Sequence, residues 1–337
     1  MATIKDVAAR AGVSVTTVSI VINGKAGERR IPDSTREKVQ AAMQDLGYQP
    51  NLSARRLRFS DVKKPALAFY WPADYRTNIM ASFITYIQKE LNARNFDCEL
   101  IIQAYENDKL EKSASAIIRN SYNGCIIGAA SEKDLQYLET LTPQIPLVLI
   151  NRSSEKYSTV QVDSAAIGKQ AASLFYQKGY REVSLFASDQ PYVATGIRTR
   201  AFREACAKLG IHISEENILR TTNTITGGVE AAERFCQLKN HPQAIFLESE
   251  SMALGALYTF HKNHLQVPGD VELLAVSLLS EEHSRYSIPS LSVIEMPTES
   301  IAREAISILI SLLKGSSSTA LHTSQEPKVV LRDSFSL

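Results

Sequence analysis

The stretch Thr3-Ile-Lys-Asp-Val-Ala-Ala-Arg-Ala-Gly-Val-Ser-Val-Thr-Thr-Val-Ser19 contains two short amphipathic segments that meet at Ala11-Gly12-Val13. The junction leaves room only for a tight turn. Thr3 and Asp6 have the spacing of a capping box at the start of the first segment, and Ser14 is placed to cap the second. A helix, a short glycine-containing turn and a second helix form the arrangement that lays the second helix in the major groove of DNA.

Two further segments follow this pair of helices. We expect Asp33 or Ser34 to cap a third helix that ends at Gly47, so that three helices close one small core. Residues 48–58 are basic and too short for a helix that is stable alone in water, so they should order on meeting a partner. We therefore predict three parts: a helix-turn-helix domain over residues 1–49, a hinge helix and linker over residues 50–64, and a core over residues 65–337.

The basic side chains are concentrated at the N-terminal end. Residues 1–64 hold twelve Lys and Arg against six Asp and Glu, a net charge of +6, while the remaining residues have a net charge of −5. The near-neutral total of +1 is therefore the sum of a basic N-terminal segment and a mildly acidic remainder of the chain. Binding of the DNA phosphate backbone by one end of a molecule requires this asymmetry.

From about residue 65 onward, apolar runs of strand length alternate with amphipathic helical stretches. The strand-like runs are Leu67–Phe69, Glu99–Ile102, Cys125–Ile127, Leu147–Ile150, Val183–Phe186, Ala244–Leu247 and Leu273–Val276. The helix-like stretches are Phe83–Asn95, Leu110–Asn120, Ala165–Lys178, Arg198–Leu209, Val229–Lys239 and Ser251–His264. The alternation predicts an α/β fold with parallel sheets flanked by helices. About 270 residues exceed the comfortable size of one core, so we expect two lobes with a ligand cleft between them.

Several classes of protein are disfavoured by what the sequence lacks. It contains no long apolar span, export signal or lipidation motif, which predicts a soluble cytoplasmic protein with no membrane contact. His261 and His264 share a predicted helix face but have no third ligand in view, so no metal is predicted. No Gly-rich phosphate loop or nucleophile elbow is present, so neither a catalytic residue nor a cofactor is predicted. The cysteines expected to be reduced core thiols are Cys98, Cys125, Cys206 and Cys236.

The N-terminal motif resembles that of the lactose-repressor (LacI/GalR) family of bacterial transcription regulators. The resemblance extends through Ser34-Thr-Arg-Glu-Lys-Val39 and Leu46-Gly-Tyr-Gln-Pro-Asn51. Weaker fragments follow in the family's order: Val160–Asp163, Lys178–Tyr180, Ala244–Phe246, Met252–Ala256, Val267–Val271 and Val330–Ser334. The resemblance implies a two-lobed core of the periplasmic-binding-protein type, in which the chain crosses between the lobes about three times. It also implies a homodimer, a palindromic double-stranded DNA operator, and a small effector such as a sugar or sugar phosphate.

The same resemblance implies DNA-contacting positions in the first domain and the hinge. The positions expected to contact the DNA backbone are Thr3, Ser14, Thr17, Ser19, Asn23, Tyr48 and Asn51. The positions expected to face bases are Val15, Thr16 and Ile20, and those in the hinge are Ala54, Arg55 and Leu57. No base-facing side chain makes bidentate contacts to guanine or adenine, which favours thymine methyl groups. Leu57 is interpreted as a wedge in the minor groove, the alternative being a loose surface leucine in a linker.

For the effector, the resemblance implies that Arg198 reaches the ligand in the cleft and that Asn151 faces ligand hydroxyls. The alternative for Arg198 is a surface cation on an amphipathic helix. Ser249-Glu250 and Ser277-Leu278 replace carboxylate-containing pairs of the family, so Ser249 and Ser277 are assigned to the effector site without the usual grip on a sugar ring. A phosphorylated or otherwise anionic ligand would suit Arg198. Trp71, the only tryptophan, either stacks on a ligand ring or belongs to the core.

The sequence therefore predicts a DNA-binding transcription regulator, a repressor whose operator affinity responds to a small ligand. The core alone would also fit a soluble sugar-binding transport protein, which the helix-turn-helix head and the missing export signal disfavour. A regulator driven by a protein co-repressor, in place of a small inducer, is a further alternative. An enzyme on a doubly wound core has no catalytic cluster or dinucleotide fingerprint in its favour.

Overall fold

The computed structural model describes residues 4–22, 26, 29, 31–46, 64–74, 76–189, 192–279, 281–315 and 319–337. At the N-terminal end it contains helices α1 (Ile4–Ala11), α2 (Val15–Ile22) and α3 (Asp33–Asp45). The side chains of Val7, Val18 and Val39 are fully buried where the three helices meet. Gly12 has a φ of 65°, which the tight turn between α1 and α2 requires and which glycine adopts without strain.

The predicted cap of the third helix is wrong. The N-cap position belongs to Pro32, which makes no side-chain capping hydrogen bond, and Asp33 is the first helical residue. Proline fixes its own φ close to the value that enters a helix, so it takes the flanking position. The Asp33 carboxylate then lies in the first turn, where the helix dipole favours a negative charge. The predicted stop at Gly47 lies outside the described residues.

The first lobe of the core is built around a six-stranded parallel sheet. Its strands follow the order β11-β5-β4-β3-β1-β2. The elements up to β5 are β1 (Ala66–Pro72), α4 (Thr77–Ala93), β2 (Glu99–Tyr105), α5 (Leu110–Ser113), α6 (Ser115–Ile118), β3 (Gly124–Gly128), α7 (Glu132–Thr140), β4 (Leu147–Ile150) and β5 (Ser158–Val162). All seven residues of β1 are buried, because helices cover both faces of the sheet.

The second lobe repeats this architecture. Its elements are α8 (Ser164–Gln177), β6 (Ser184–Ser188), α9 (Val193–Lys208), β7 (Ile218–Thr221), α10 (Ile225–Cys236), β8 (Ala244–Leu247), α11 (Glu250–Lys262), β9 (Glu272–Ser277), α12 (Glu281–Arg285) and β10 (Ser292–Glu295). The chain continues through α13 (Thr298–Leu313), β11 (His322–Gln325) and β12 (Lys328–Val330). The sheet has the order β12-β10-β9-β8-β6-β7, with β12 antiparallel to β10.

The chain passes between the lobes three times, which confirms the expectation from the family resemblance. It leaves the first sheet after β5, returns through α13 to add β11, and crosses again to add β12. Both sheets present the carboxyl ends of most of their strands to the space between the lobes. The predicted α/β architecture with two lobes and an inter-lobe cleft is confirmed.

Local differences from the predicted elements have identifiable causes. Leu110–Asn120 is divided into α5 and α6 instead of forming one helix. The Tyr70 hydroxyl donates to the Ser113 carbonyl, and the Ile117 amide donates to the Ala114 carbonyl in place of the Ser113 carbonyl that a continuous helix would use. The cysteines are all free: Cys125 and Cys206 are buried, and Cys98 and Cys236 are half-buried. Among the described helices, none is both long and apolar enough to cross a membrane.

The N-terminal core provides a matched test of packing within one helix. Val18 is fully buried, whereas Val15 on the same helix α2 is 41% exposed. Val18→Ala should lower the free energy of unfolding of this domain by about 2 kcal/mol, because two buried methyl groups are lost and a cavity remains. Val15→Ala should change it by less than about 0.5 kcal/mol. Amide hydrogen exchange of α1–α3 measures both effects, and equal protection factors in the two variants would contradict the packing described here.

Candidate functional site

The first candidate site is the exposed N-terminal end of α2. The Thr17 amide donates to the Ser14 hydroxyl oxygen at 3.1 Å, so Ser14 caps the helix as predicted. The Ser14 and Thr17 hydroxyl oxygens lie 2.9 Å apart. Val15 and Thr16 point outward in the first turn, while Val18 and Val21 are buried against the neighbouring helices. The exposed N-terminus of a helix suits contact with phosphate oxygens and base edges.

The structure brings together those predicted DNA-contacting residues that it describes. Ser14, Val15 and Thr16 are exposed, and Thr17, Ser19 and Ile20 are half-buried along the same helix. In the same domain, Arg10 of α1 forms an exposed ion pair with Asp45 of α3, with an N–O distance of 3.0 Å. The remaining predicted contacts lie outside the described residues: Thr3, Asn23, Tyr48, Asn51, Ala54, Arg55 and Leu57.

The second candidate site is the cleft between the lobes, which encloses about 100 Å³. Its walls come from loops that follow strands of both sheets and from the first turns of α4, α9 and α11. Of the predicted effector residues, Asn151, Arg198 and Ser249 line the cavity, and Ser277 lies directly behind it. Trp71 also lines the cavity while packing against Phe83, with ring centroids 5.3 Å apart. Trp71 therefore belongs to the core, as one of its two interpretations held, and its stacking on a ligand ring stays a prediction.

A polar contact closes the mouth of the cleft across the two lobes. Arg76, in the loop after β1, donates from Nε to Asp74 at 2.9 Å, and its guanidinium lies 3.6 Å from the ring centre of Tyr192 in the second lobe. The Tyr192 hydroxyl donates to Asp74 Oδ2 at 3.0 Å. We call this set of three side chains the inter-lobe latch. Sequence reasoning missed it, although Asp74 and Arg76 follow the carboxyl end of a predicted strand.

The latch is a buried ion pair whose charges are compensated. Burial alone would raise the pKa of Asp74, but hydrogen bonds from Arg76 and Tyr192 outweigh it and hold that pKa below its usual range. The stabilisation from the charged carboxylate is present above the usual Asp pKa and is lost as the pH falls through the lowered value. Arg76 also donates to the Ala129 carbonyl at 2.8 Å, so the guanidinium is fixed on several sides.

Two further arginines lie in the cleft with very little exposure. Arg198 is 2% exposed and donates to the Glu248 carbonyl, so the alternative that it is a surface cation is wrong. Arg152 is 6% exposed and donates to the carbonyls of Ala130 and Asn151. Burial, reinforced by repulsion from Arg76, lowers the pKa of Arg152 to about 10. Arg152 was also missed, although it directly follows a residue assigned to the ligand.

The second-lobe wall of the cleft carries a carboxylate, which corrects the expectation that the acceptors of the family are lost. Glu250 is 1% exposed, and it accepts hydrogen bonds from the Ser277 hydroxyl and the Leu279 amide through Oε2. Its Oε1 has no hydrogen-bond partner among the described residues. Burial raises the pKa of Glu250, against the opposing effect of the Ser277 bond. Glu250 thus places a carboxylate in this wall, where the sequence pattern predicts none.

Ser249 lies in the second-lobe wall, and Asn151 lies after β4 in the first-lobe wall. Ser249 donates to Asn223 Oδ1 and accepts from the Met252 amide at 3.3 Å, so its hydroxyl caps α11. Asn151 adopts a φ of 54°, a left-handed conformation that asparagine tolerates better than most residues. Its Oδ1 is buried and has no hydrogen-bond partner within the described part of the chain. An unsatisfied buried acceptor of this kind is expected at a ligand site.

Comparisons with known proteins agree with this arrangement. The family described as "Bacterial regulatory proteins, lacI family" matches residues 3–51, and "Periplasmic binding protein-like domain" matches residues 172–335. The chain is 33% identical to a LacI family transcription regulator from Clostridium acetobutylicum, whose crystal structure matches with a TM-score of 0.77 over 80% of this chain and 100% of that one. It is 27% identical to the HTH-type transcriptional repressor PurR of Proteus mirabilis, over 99% of this chain and 97% of that repressor.

A third comparison concerns the fold. The crystal structure of the lac repressor dimer bound to operator and the anti-inducer ONPF matches with a TM-score of 0.70 at 19% identity, over 99% of this chain and 98% of that one. A helix-turn-helix domain joined to a two-lobed core of the periplasmic-binding-protein type defines a class of DNA-binding transcriptional regulators, and not of enzymes. The chain belongs to the LacI family of bacterial transcription regulators.

The latch can be weakened without removing its ring or its charges. Tyr192→Phe deletes the hydroxyl that bonds Asp74 but keeps the stacking surface for Arg76. A hydrogen bond to a charged group contributes about 1.5–3 kcal/mol, so its loss should shift the lobes toward open arrangements. Trp71 is the only tryptophan and is 3% exposed, so acrylamide quenching of its fluorescence reports opening directly.

We expect stronger quenching in Tyr192→Phe than in the wild type. Tyr176→Phe is the matched control, because the Tyr176 ring also carries an arginine, Arg181, at 4.4 Å but lies on the surface of the second lobe. Unchanged quenching in Tyr192→Phe would show that the hydroxyl does not hold the cleft closed.

Proposed function

We propose that this protein is a transcriptional repressor that binds a palindromic DNA operator as a homodimer and whose operator affinity is controlled by a small ligand in the cleft. The observation that carries the proposal is the exposed first turn of α2, with Val15 and Thr16 outward, on a chain whose core holds a polar cleft between two lobes. Two of the relatives are described as transcriptional repressors, which supports repression over activation. A protein that acts on an operator works beside the chromosome, so a cytoplasmic location belongs to this proposal.

Different residues of α2 are proposed to contact the DNA backbone and the bases. The hydroxyl groups of Ser14, Thr17 and Ser19 supply donors for phosphates. Val15 and Ile20 offer only methyl groups to the major groove, and Thr16 adds one hydroxyl. Leu57, one from each subunit, is assigned to the minor groove at the centre of the operator, where a wedge and a kink would add specificity through DNA deformability.

A palindromic operator requires a two-fold symmetric protein, and the second lobe offers apolar surface for one. Ile225 and Tyr258 are 54% and 63% exposed on the neighbouring helices α10 and α11. These helices lie close together, since a Cβ on Gly255 would be 2.0 Å from the Ile225 carbonyl oxygen. Exposed large apolar side chains in one patch are typical of a protein–protein interface. The lac repressor structure that shares this fold is itself a dimer bound to operator.

On the ligand side, the cleft has the properties of an effector site. It lies beyond the carboxyl ends of parallel strands, it is lined by residues of both lobes, and it contains buried polar atoms without partners. A ligand that contacts both lobes stabilises one arrangement of them over another, which is the differential binding that allosteric control needs. A sugar derivative is proposed because Asn151 and Glu250 offer acceptors for hydroxyl groups.

A regulator driven by a protein co-repressor is the second candidate. The observation in its favour is the small enclosed volume, about 100 Å³, against the 300–1,000 Å³ of ordinary ligand sites. The closed latch accounts for that volume equally well, because its opening would enlarge the cleft. A ligand screen read through Trp71 fluorescence separates the two, since a protein partner bound outside the cleft leaves the small-molecule titration flat.

Selection of operators from a random duplex library with the full chain tests the proposal. We expect palindromic sites with contacted thymines, and replacing those thymines by uracil should weaken binding by at most about 1 kcal/mol per lost methyl, below a full bidentate pair. Ile20→Arg should shift the selected half-site toward guanine at one position, because arginine pairs with guanine O6 and N7. Guanine-rich sites for the wild type that tolerate uracil would overturn this assignment of α2, and no enrichment at all would overturn operator binding.

A further inference from the structure

The chemical class of the ligand is set by the charges that the cleft buries. Three arginines line it: Arg76, Arg152 and Arg198. They differ in how their charges are balanced. Arg76 is neutralised by Asp74 in the latch. Within the described residues, no carboxylate oxygen lies within 4 Å of the Arg152 guanidinium.

Arg152 is held in place by neutral groups only. Its Nε donates to the Ala130 carbonyl, and Nη1 donates to the Asn151 carbonyl at 2.6 Å. Arg76 donates to the carbonyl of the adjacent Ala129, and its charge repels that of Arg152. A buried charge is unfavourable unless an opposite charge compensates it, and Asp74 forms its ion pair with Arg76.

The nearest acidic group does not provide that anion. Asp134 is 1% exposed and acts on Arg152 through space, but its carboxylate accepts the backbone amides of Leu110 at 3.0 Å and Asp108 at 3.2 Å. It also completes the capping box of α7 with Ser131. The hydrogen-bonding capacity of the Asp134 carboxylate is therefore used within the fold, and Arg152 has no carboxylate in direct contact among the described residues.

Hydrogen-bond acceptors are available on both walls of the cleft. Glu250 Oε1 and Asn151 Oδ1 are buried acceptors without hydrogen-bond partners among the described residues. Asn151 lies beside Arg152 after β4 in the first lobe, whereas Glu250 is the first residue of α11 in the second lobe. A molecule spanning the cleft thus meets the Arg152 cation in the first lobe and the Glu250 carboxylate in the second.

We propose that the cleft is built for a small anionic ligand whose carboxylate or phosphate group lies against Arg152 and whose hydroxyl or amine hydrogens reach Glu250 and Asn151. This inference rests on the proposed function, in which a ligand enters the cleft. The bond between charged groups fixes one end of the molecule in the first lobe. The acceptors of Glu250 fix the other end in the second lobe, so the ligand bridges the lobes as the latch does.

The test compares three probes that share a ring: glucose, glucuronate and glucose 6-phosphate, with inorganic phosphate as a fourth. Each is titrated into the full-length protein at constant ionic strength, and binding is read from Trp71 fluorescence and from the melting temperature. We expect at least one of the anions to bind at least tenfold more tightly than glucose. Preference for glucuronate identifies a carboxylate ligand, and preference for either phosphate probe identifies a phosphate ligand. Equal or tighter binding of glucose, or no response to any of the anions, would overturn the proposal.

Substitution assigns the effect to the residue. Arg152→Met should weaken binding of the preferred anion at least tenfold, whereas Arg119→Met, on the exposed surface of the same lobe, should leave it unchanged. Arg152→Lys keeps the charge and guards against a folding defect: it should retain part of the affinity that Arg152→Met loses. A purely structural arginine would instead lower the melting temperature in both variants and leave the anion preference intact, which would overturn the assignment.

Operator binding in the same samples separates this inference from the proposed function. The wild type should bind the selected operator in the absence of added probe. If the operator is bound but no anion is preferred over glucose, the proposed ligand class is wrong and the repressor proposal stands. If the wild type selects no operator, the repressor proposal falls independently of the cleft.

Discussion

The contact of Tyr192 with Asp74 and Arg76 determines how the two lobes are placed relative to one another at the mouth of the cleft. An arginine with 5% exposure is tolerable there only because Asp74 neutralises it and Tyr192 covers its face. The same contact joins the loop after β1 in one lobe to the start of α9 in the other. The latch is therefore the natural element for a ligand to bias.

The wall that carries Arg198 depends on close packing behind it. A Cβ on Gly168 of α8 would lie 2.3 Å from the Arg198 carbonyl oxygen, so only glycine lets α8 approach α9 this closely. In front, Thr199 donates to the Glu248 carboxylate, which also accepts the Ser188 amide at 2.6 Å. Burial raises the pKa of Glu248, and these donors oppose the rise. Arg198 thus projects into the cleft from a helix that is fixed on both sides.

Sequence periodicity predicted the buried central strands well because they are continuous apolar runs. All seven predicted runs fall in strands or overlap them, from β1 to β9. It missed β11, whose sequence His-Thr-Ser-Gln is polar and lies at an edge of its sheet, because pairing with β5 and not burial makes it a strand. It placed the start of α9 at Arg198 although the helix begins at Val193, since the apolar side chains at its start, Val193 and Ile197, are exposed and belong to no core face.

The candidate sites followed a similar rule. Ser14 and Arg198 were found through a short, specific motif, whereas the latch depends on residues that are 118 positions apart in the chain, as Asp74 and Tyr192 are. No local pattern encodes such a pair. Arg152 and Glu250 lay beside positions already assigned, and the general rule that ligands bind at the carboxyl ends of parallel strands would have found them. The unmet hydrogen-bonding capacity of Glu250 and Asn151 is visible only once the fold buries them.

The central claim is that closure of the lobes is coupled to operator binding. The most direct measurement is the operator affinity of Tyr192→Ala, which removes both the hydroxyl and the ring that cover the latch, beside Tyr176→Ala as the surface control. Couplings between sites typically amount to 1–3 kcal/mol, so the account predicts that the affinity of Tyr192→Ala differs from that of the wild type by at least about fivefold. An affinity within about twofold of the wild type, in a variant whose Trp71 quenching shows an open cleft, would contradict it.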